Sequence, residues 1–213
     1  MRKTPESPMR IVHFFDYKSP YAYLAQDAVF SLSAEAGVEI DIQPYTLDIP
    51  SYLGAAELNA DGKDTIQARN EHQWRRVRYS YMDCRREANR RGLTIRGPRK
   101  IFDSSIAHIG FLFAKRQGDF RAYHDQVFQR FWKRELDIES VSVVKDVLRE
   151  TGFDVTDFDA FLNDGGRREH DELRAAAESG WGVFGVPSYV VDDELFWGAE
   201  RLPRVRERLG LKA

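Results

Sequence analysis

The stretch "FFDYKSPYAYLA", Phe14 to Ala25, changes character at its middle. Phe14 and Phe15 continue the β-branched and aromatic run "RIVHFFDY", bounded upstream by Pro8, which reads as a buried strand. Beyond Ser19-Pro20, apolar residues recur at helical spacing (Tyr21, Leu24, Ala28, Leu32) until Gly37, a normal helix stop. Ser19 is therefore expected at the N-cap, where its oxygen accepts from an orphan backbone N–H. Pro20 takes the first helical position, which suits its fixed φ. The position has a second use, because unpaired N–H groups and the helix dipole there favour negative charge. Ser19 is thus also a candidate to stabilise an anion, such as a thiolate brought in by a ligand. Nothing marks it as a nucleophile: there is no GxSxG elbow, and none of the five histidines is marked as its base. The local pattern leaves cap and anion holder both open.

Downstream, "VEIDIQPYTL" sets Val38, Ile40 and Ile42 against polar neighbours, a strand with one wetter face, and completes a β-α-β unit. From about Asp64 to Gly180 the pattern is helical with charged outer faces. It opens with "DTIQARNEHQWRRVRYSYMDCRREANRRG" and closes with "DVTDFDAFLNDGGRREHDELRAAAESG", read as one helical stretch each. "VPSYVVDDELFWG" then reads as a hairpin turning at Asp192-Asp193. "AERLPRVRERLG" is a last amphipathic helix with Pro203 in its first turn. Neither end carries enough strands to stand alone. The expected class is α/β: one mixed sheet built by residues 9–63 and 181–213, interrupted by an all-helical insertion over 64–180.

Composition excludes several functions. Acidic and basic residues nearly cancel to a formal net charge of −2, so no global basicity points to nucleic acid, despite the local arginines of "QWRRVRYSYMDCRREANRRG". The single cysteine, Cys84, rules out an internal disulfide and any CxxC pair. His13, His72, His108, His124 and His170 are scattered, so no metal is expected. After "MRKTPESPMR", the run "IVHFFDY" is too polar at His13 and Asp16 for a signal-peptide core. No run approaches a membrane span, and a reducing, cytoplasmic location is the expectation.

Near the other end, "GVFGVPSYVV" sets Val186-Pro187 between a glycine-rich turn and a strand, where proline suggests an edge, a turn or a cis peptide. Four segments taken in order carry a resemblance: "FFDYKSPYAYLA", "RVRYSYMDCRREANRRGL", "QVFQRFWKRELDIES" and "WGVFGVPSYVVDDELFWGAERL". The chain resembles the DsbA-like branch of the thioredoxin superfamily, in particular the group of 2-hydroxychromene-2-carboxylate isomerase and kappa-class glutathione transferase. The resemblance implies a thioredoxin fold (β-α-β … β-β-α) with a helical insertion, a cis peptide before Pro187, and Ser19 and Ala22 in place of the CxxC cysteines. It also implies glutathione as cofactor or cosubstrate. Its cysteinyl backbone would pair with Val186 beside Pro187, its sulfur would meet Ser19, and its γ-glutamyl end would meet Ala199 and Glu200. The family commonly has Ser-Asp or Gln-Asp at this last pair. Arg76 matches a glutathione-contacting lysine, and Tyr21 and Trp132 are candidates for the substrate cleft. In "SYLGAAELNADGKD" the family's Gly-Asn pair is replaced by Gly62-Lys63, with Asn59 slightly earlier. The implied activity is isomerisation or transfer on an aromatic or electrophilic small molecule, and homodimers are common among members of the family. The alternatives are a DsbA-family oxidoreductase in name without CxxC activity, and a non-catalytic peptide-binding thioredoxin fold.

Overall fold

A computed structural model describes residues 10–211. The charged N-terminal segment with Pro8, and the outermost limits 9 and 213 of the expected sheet region, lie outside the described residues. Strand β1 (Ile11–Phe15) is buried at every position, as befits a strand covered on both faces. It feeds α1 (Pro20–Ala36), which ends at Gly37 in the left-handed conformation, φ 63°. The buried stripe of α1 is Ala22, Tyr23, Leu24, Ala25, Val29 and Leu32, whereas Ala28 faces solvent. Strand β2 (Ile40–Pro44) then pairs parallel with β1, Ile11 opposite Ile40 and Phe15 opposite Pro44. Only Asp41 of this strand is less than buried, so the expected wet face is narrower than its alternation implied.

The next segment departs from expectation. A short helix α2 (Ile49–Leu53) leads into a hairpin of β3 (Ala56–Leu58) and β4 (Asp64–Gln67), a separate two-stranded sheet. Residues 64–67 are therefore extended, and the all-helical stretch begins later, with α3 (Glu71–Arg90). There Asn70 and Gln73 form a reciprocal capping box. Four further long helices follow within the stretch expected to be helical: α4 (Ser105–Gln117), α5 (Arg121–Trp132), α6 (Val141–Glu150) and α8 (Gly165–Trp181). The last is preceded by α7 (Phe158–Asn163), because the chain breaks at Asp164, so one expected helix is two.

Strands β5 (Ser188–Val191) and β6 (Glu194–Trp197) complete the main sheet in the order β2-β1-β5-β6. Both ends of the chain thus share one sheet. Asp192 and Asp193 have positive φ, the conformation a two-residue hairpin needs. After a 3-10 turn (Ala199–Arg201), α9 (Leu202–Arg208) closes the fold with Pro203 in its first turn. One hydrophobic cluster joins sheet and helices, from Phe14 and Phe15 through Phe111 and Phe128 to Val190.

Candidate active site

Ser19 sits where β1 hands over to α1, with extended dihedrals (φ −92°, ψ 114°). Its Oγ accepts from the Ala22 N–H at 3.2 Å, the N-cap bond expected of it. The same hydroxyl donates to the Val186 carbonyl at 3.4 Å, from a residue far along the sequence. The Val186–Pro187 peptide is cis, as expected. Antiparallel pairing of β1 with β5, Phe14 opposite Ser188, brings these two segments together. Ser19 is thus both a cap and a bridge to the loop before Pro187.

Beside Ser19 lies a polar cluster that the sequence reading passed over. Asp16 and Lys18 are buried and form an ion pair at 3.2 Å. Asp16 Oδ2 accepts from the Leu47 N–H at 2.8 Å, while Oδ1 accepts from the Lys18 N–H at 3.1 Å and the Ser104 hydroxyl at 2.5 Å. Lys18 Nζ donates to the same Ser104 hydroxyl at 3.1 Å. Burial alone would raise the Asp16 carboxyl, but the Lys18 charge and the contacts of His108 and Ser104 hold it well below the usual range. From His108 a line of hydrogen bonds runs through Thr46 to His170, both steps 2.8 Å.

A cavity of about 900 Å³ opens against this corner. Lys18, Ser19, Tyr21 and Val186 form one wall; Phe184 and Trp197, in contact at 4.9 Å, form the rim beside it. Tyr52 from α2, Arg76 and Tyr81 from α3, and Arg99 and Phe102 from the following loop close the other sides. Eight lining side chains are basic and two are acidic. The guanidinium groups of Arg76 and Arg99 make no hydrogen bond or ion pair among the described residues. Tyr21 donates to Asp83 at 3.2 Å, and burial raises its phenol. Burial also pushes the Tyr52 phenol up to about 12, with Asp16 nearby adding to the effect, so it stays a neutral donor.

The structure therefore gathers Ser19, Tyr21, Arg76 and Val186 around one cavity, with Pro187 buried directly behind. Ala199 and Glu200 stand in the 3-10 turn just beyond Trp197, outside the lining. Gly198 before them has φ 108°, and the Glu200 carboxylate folds against its Cα. Trp132 is corrected: it is fully buried and lines no part of the cavity. It stacks on Tyr23 at 6.5 Å and packs on Phe131 at 5.3 Å, because the inward face of α5 supplies core. Asn59, Gly62 and Lys63 form the β3–β4 turn, where Asn59 Oδ1 accepts from the Lys63 N–H at 2.9 Å. Asp16 and Lys18 had one sequence signal, two charges inside an apolar strand-to-helix run. Among the described residues no acidic, histidine or cysteine cluster could hold a metal, and no helix is long and apolar enough to cross a membrane.

The family model of the DSBA-like thioredoxin domain matches residues 10–210. A 2-hydroxychromene-2-carboxylate isomerase of Sphingobium xenophagum is 26% identical over 191 residues, 89% of this chain and 92% of that one. Its namesake from Pseudomonas putida is 26% identical over 206 residues, 95% of each chain. A solved structure of 2-hydroxychromene-2-carboxylate isomerase superposes with a TM-score of 0.70 at 25% identity, covering 94% of both chains. With a matching fold, and with Ser19 facing the cis-proline loop, the chain belongs to the DsbA-like thioredoxin family.

Proposed function

We propose that this protein is a glutathione-dependent isomerase acting on 2-hydroxychromene-2-carboxylate or a close aromatic relative. The observation that carries the reading is the meeting of Ser19 and Val186 at the cavity wall. The Val186 N–H has no partner among the described residues, and its carbonyl has only the 3.4 Å bond from Ser19. A nearly buried backbone edge left in this state suits an extended peptide strand, as the cysteinyl unit of glutathione is. Arg76, whose guanidinium makes no hydrogen bond or ion pair among the described residues, lines the same cavity and suits a carboxylate of the tripeptide. A cavity of about 900 Å³ is at the upper end of ordinary ligand sites and leaves space for a second small molecule. Ala199 and Glu200 fit less well, since they sit outside the lining.

Glutathione, when bound, supplies a reversible sulfur nucleophile. The chain's own part is to keep that sulfur ionised and the substrate oriented. Because Ser19 Oγ already accepts from Ala22, its proton is left to donate; turned from the Val186 carbonyl, it meets an anion entering at the helix N-terminus. A dithiol exchange reaction has no groups to run on, since Ser19 and Ala22 occupy the motif positions and Cys84 is buried.

The test is spectrophotometric isomerisation of 2-hydroxychromene-2-carboxylate with and without glutathione. The wild type should require glutathione. Ser19→Ala should lower kcat/KM on the order of a hundredfold, about 3 kcal/mol for one lost donor to an anion. Its stability should fall only by about 0.5–2 kcal/mol for the lost cap. Ser19→Asn, which caps equally well, should fold normally and lose most activity. Wild-type turnover in both variants, or turnover without glutathione, refutes the reading.

A further inference from the structure

Lys18 is the cation most deeply set in the cavity wall, and none of the interactions above uses it fully. Its side chain is 3% exposed, yet the residue lines the cavity directly beside Ser19. An ammonium group carries three N–H donors. Ser104 takes one at 3.1 Å, and the Asp16 carboxylate, at 3.2 Å, takes a second. The third has no acceptor among the described residues. A buried charged donor left unsatisfied is costly unless a ligand completes it.

Asp16 does not cancel this charge. Its two oxygens also serve the Leu47 and Lys18 backbone N–H groups and the Ser104 hydroxyl, so its negative charge is spread over several donors. Ser104 is held for the same purpose: it stands at the N-cap position of α4 but makes no side-chain cap bond there, its hydroxyl being engaged by Asp16 and Lys18. Arg76 and Arg99 lie on exposed ground, where water screens them and their side chains are free to move. Lys18 is fixed and dry.

Resting on the reading of this cavity as the substrate site, we infer that Lys18 anchors the substrate's carboxylate. The third N–H donates to one carboxylate oxygen and so selects anionic aromatic acids over neutral analogues. No bond is made or broken at Lys18, so it determines specificity and does not carry out the chemistry.

Binding of trans-cinnamate and of cinnamamide, its neutral counterpart, is measured by quenching of tryptophan fluorescence, since Trp74 and Trp197 line the cavity. Glutathione is titrated separately by calorimetry. The wild type should prefer cinnamate over cinnamamide by about tenfold or more, equivalent to about 1.4 kcal/mol. Lys18→Met should abolish that preference while leaving cinnamamide and glutathione within about twofold of wild type, and Lys18→Arg should retain part of it. Because Lys18→Met strands Asp16 without its partner, Lys18→Met/Asp16→Asn is measured alongside and should show the same loss of discrimination. The inference is overturned if Lys18→Met keeps the preference, if both ligands weaken equally, or if the wild type does not discriminate. Loss of glutathione binding alone would place the tripeptide's carboxylate at Lys18 and also overturn it. Discrimination that depends on Lys18 in a protein blind to glutathione leaves the anchor standing and sinks the glutathione reading instead.

Discussion

The Ser19 hydroxyl accepts from the Ala22 N–H at the start of α1 and donates to the Val186 carbonyl across the sheet. Ser19-Pro20 was readable as a cap because capping chemistry is local, confined to Ser19, Pro20 and Ala22. Its second contact, to Val186, depends on strand pairing that no local pattern contains. Trp132 shows the opposite failure, because Val127, Phe128, Phe131 and Trp132 share the same helical spacing whether they face core or cavity. Lys18 and Asp16 were missed for a simpler reason: charged side chains at a strand end are ordinarily solvated, and burial becomes visible only when α4 supplies Ser104 and His108. Cys84 was readable as incapable of an internal disulfide, and the fold makes it inert as well. It is fully buried, and burial pushes its thiol up to about 12, so almost no thiolate is present at neutral pH. Native protein should therefore resist iodoacetamide until denatured, and insulin reduction should match the blank. Rapid native labelling, or turnover of insulin, contradicts this.

At the scale of elements, the strongly patterned pieces were readable and the weakly patterned ones were not. Strands β1 and β5 are buried at every position, α1 keeps a long buried stripe, and all three stood out in the sequence. The β4 strand is only Asp64–Gln67, exposed at every position, so no buried face gives it a period. Helix formers downstream drew it into the following helix, although Asn70 and Gln73 carried the capping-box signal for the true start. The turn between α8 and β5 holds a prediction. A Cβ on Gly185 would stand 2.6 Å from Trp197 Nε1, so the indole rests against bare backbone there. Gly185→Ala should displace Trp197 and disturb the adjoining Val186 edge. Glutathione binding should weaken by about tenfold or more, roughly 1.4 kcal/mol, while the melting temperature changes little. Unchanged affinity alongside unchanged tryptophan emission would show that this wall tolerates the methyl group.

At the scale of the whole molecule, the main sheet is assembled from both chain ends and packed by helices, and the core holds buried histidines that the sequence showed only as scattered. Burial pushes His13 down to about 4, although its bond to the Ser188 carbonyl opposes this. Burial lowers His108 and His124 as well. These groups are neutral when folded and take up protons on unfolding below their ordinary value of 6.5. Stability should therefore be full above about pH 6.5 and fall as pH drops toward 4, before most carboxylates titrate. His13 alone accounts for about 3 kcal/mol across that interval, at about 1.4 kcal/mol per pH unit. Asp16, held low, contributes in the same sense over a lower range: its stabilisation is present above the ordinary carboxylate range and is lost as pH falls below it. Urea unfolding at pH 7.5, 6 and 5 checks the sign, and a midpoint that rises on acidification would contradict it. His13→Gln should flatten the dependence.

The joining of the two chain ends matters because it sets Ser19 against Val186, where, on the proposed reading, an entering sulfur would meet a hydroxyl, a helix N-terminus and a backbone N–H unpaired among the described residues. The most direct test is the ionisation of glutathione on the protein, followed by ultraviolet thiolate absorption as pH is varied, in wild type and in Ser19→Ala. Bound glutathione should ionise well below the ordinary thiol value of roughly 8.5–9 in the wild type, and the alanine variant should move it back up by about one to two units. A bound thiol that titrates at its ordinary value in the wild type, or one unmoved by Ser19→Ala, would contradict the account.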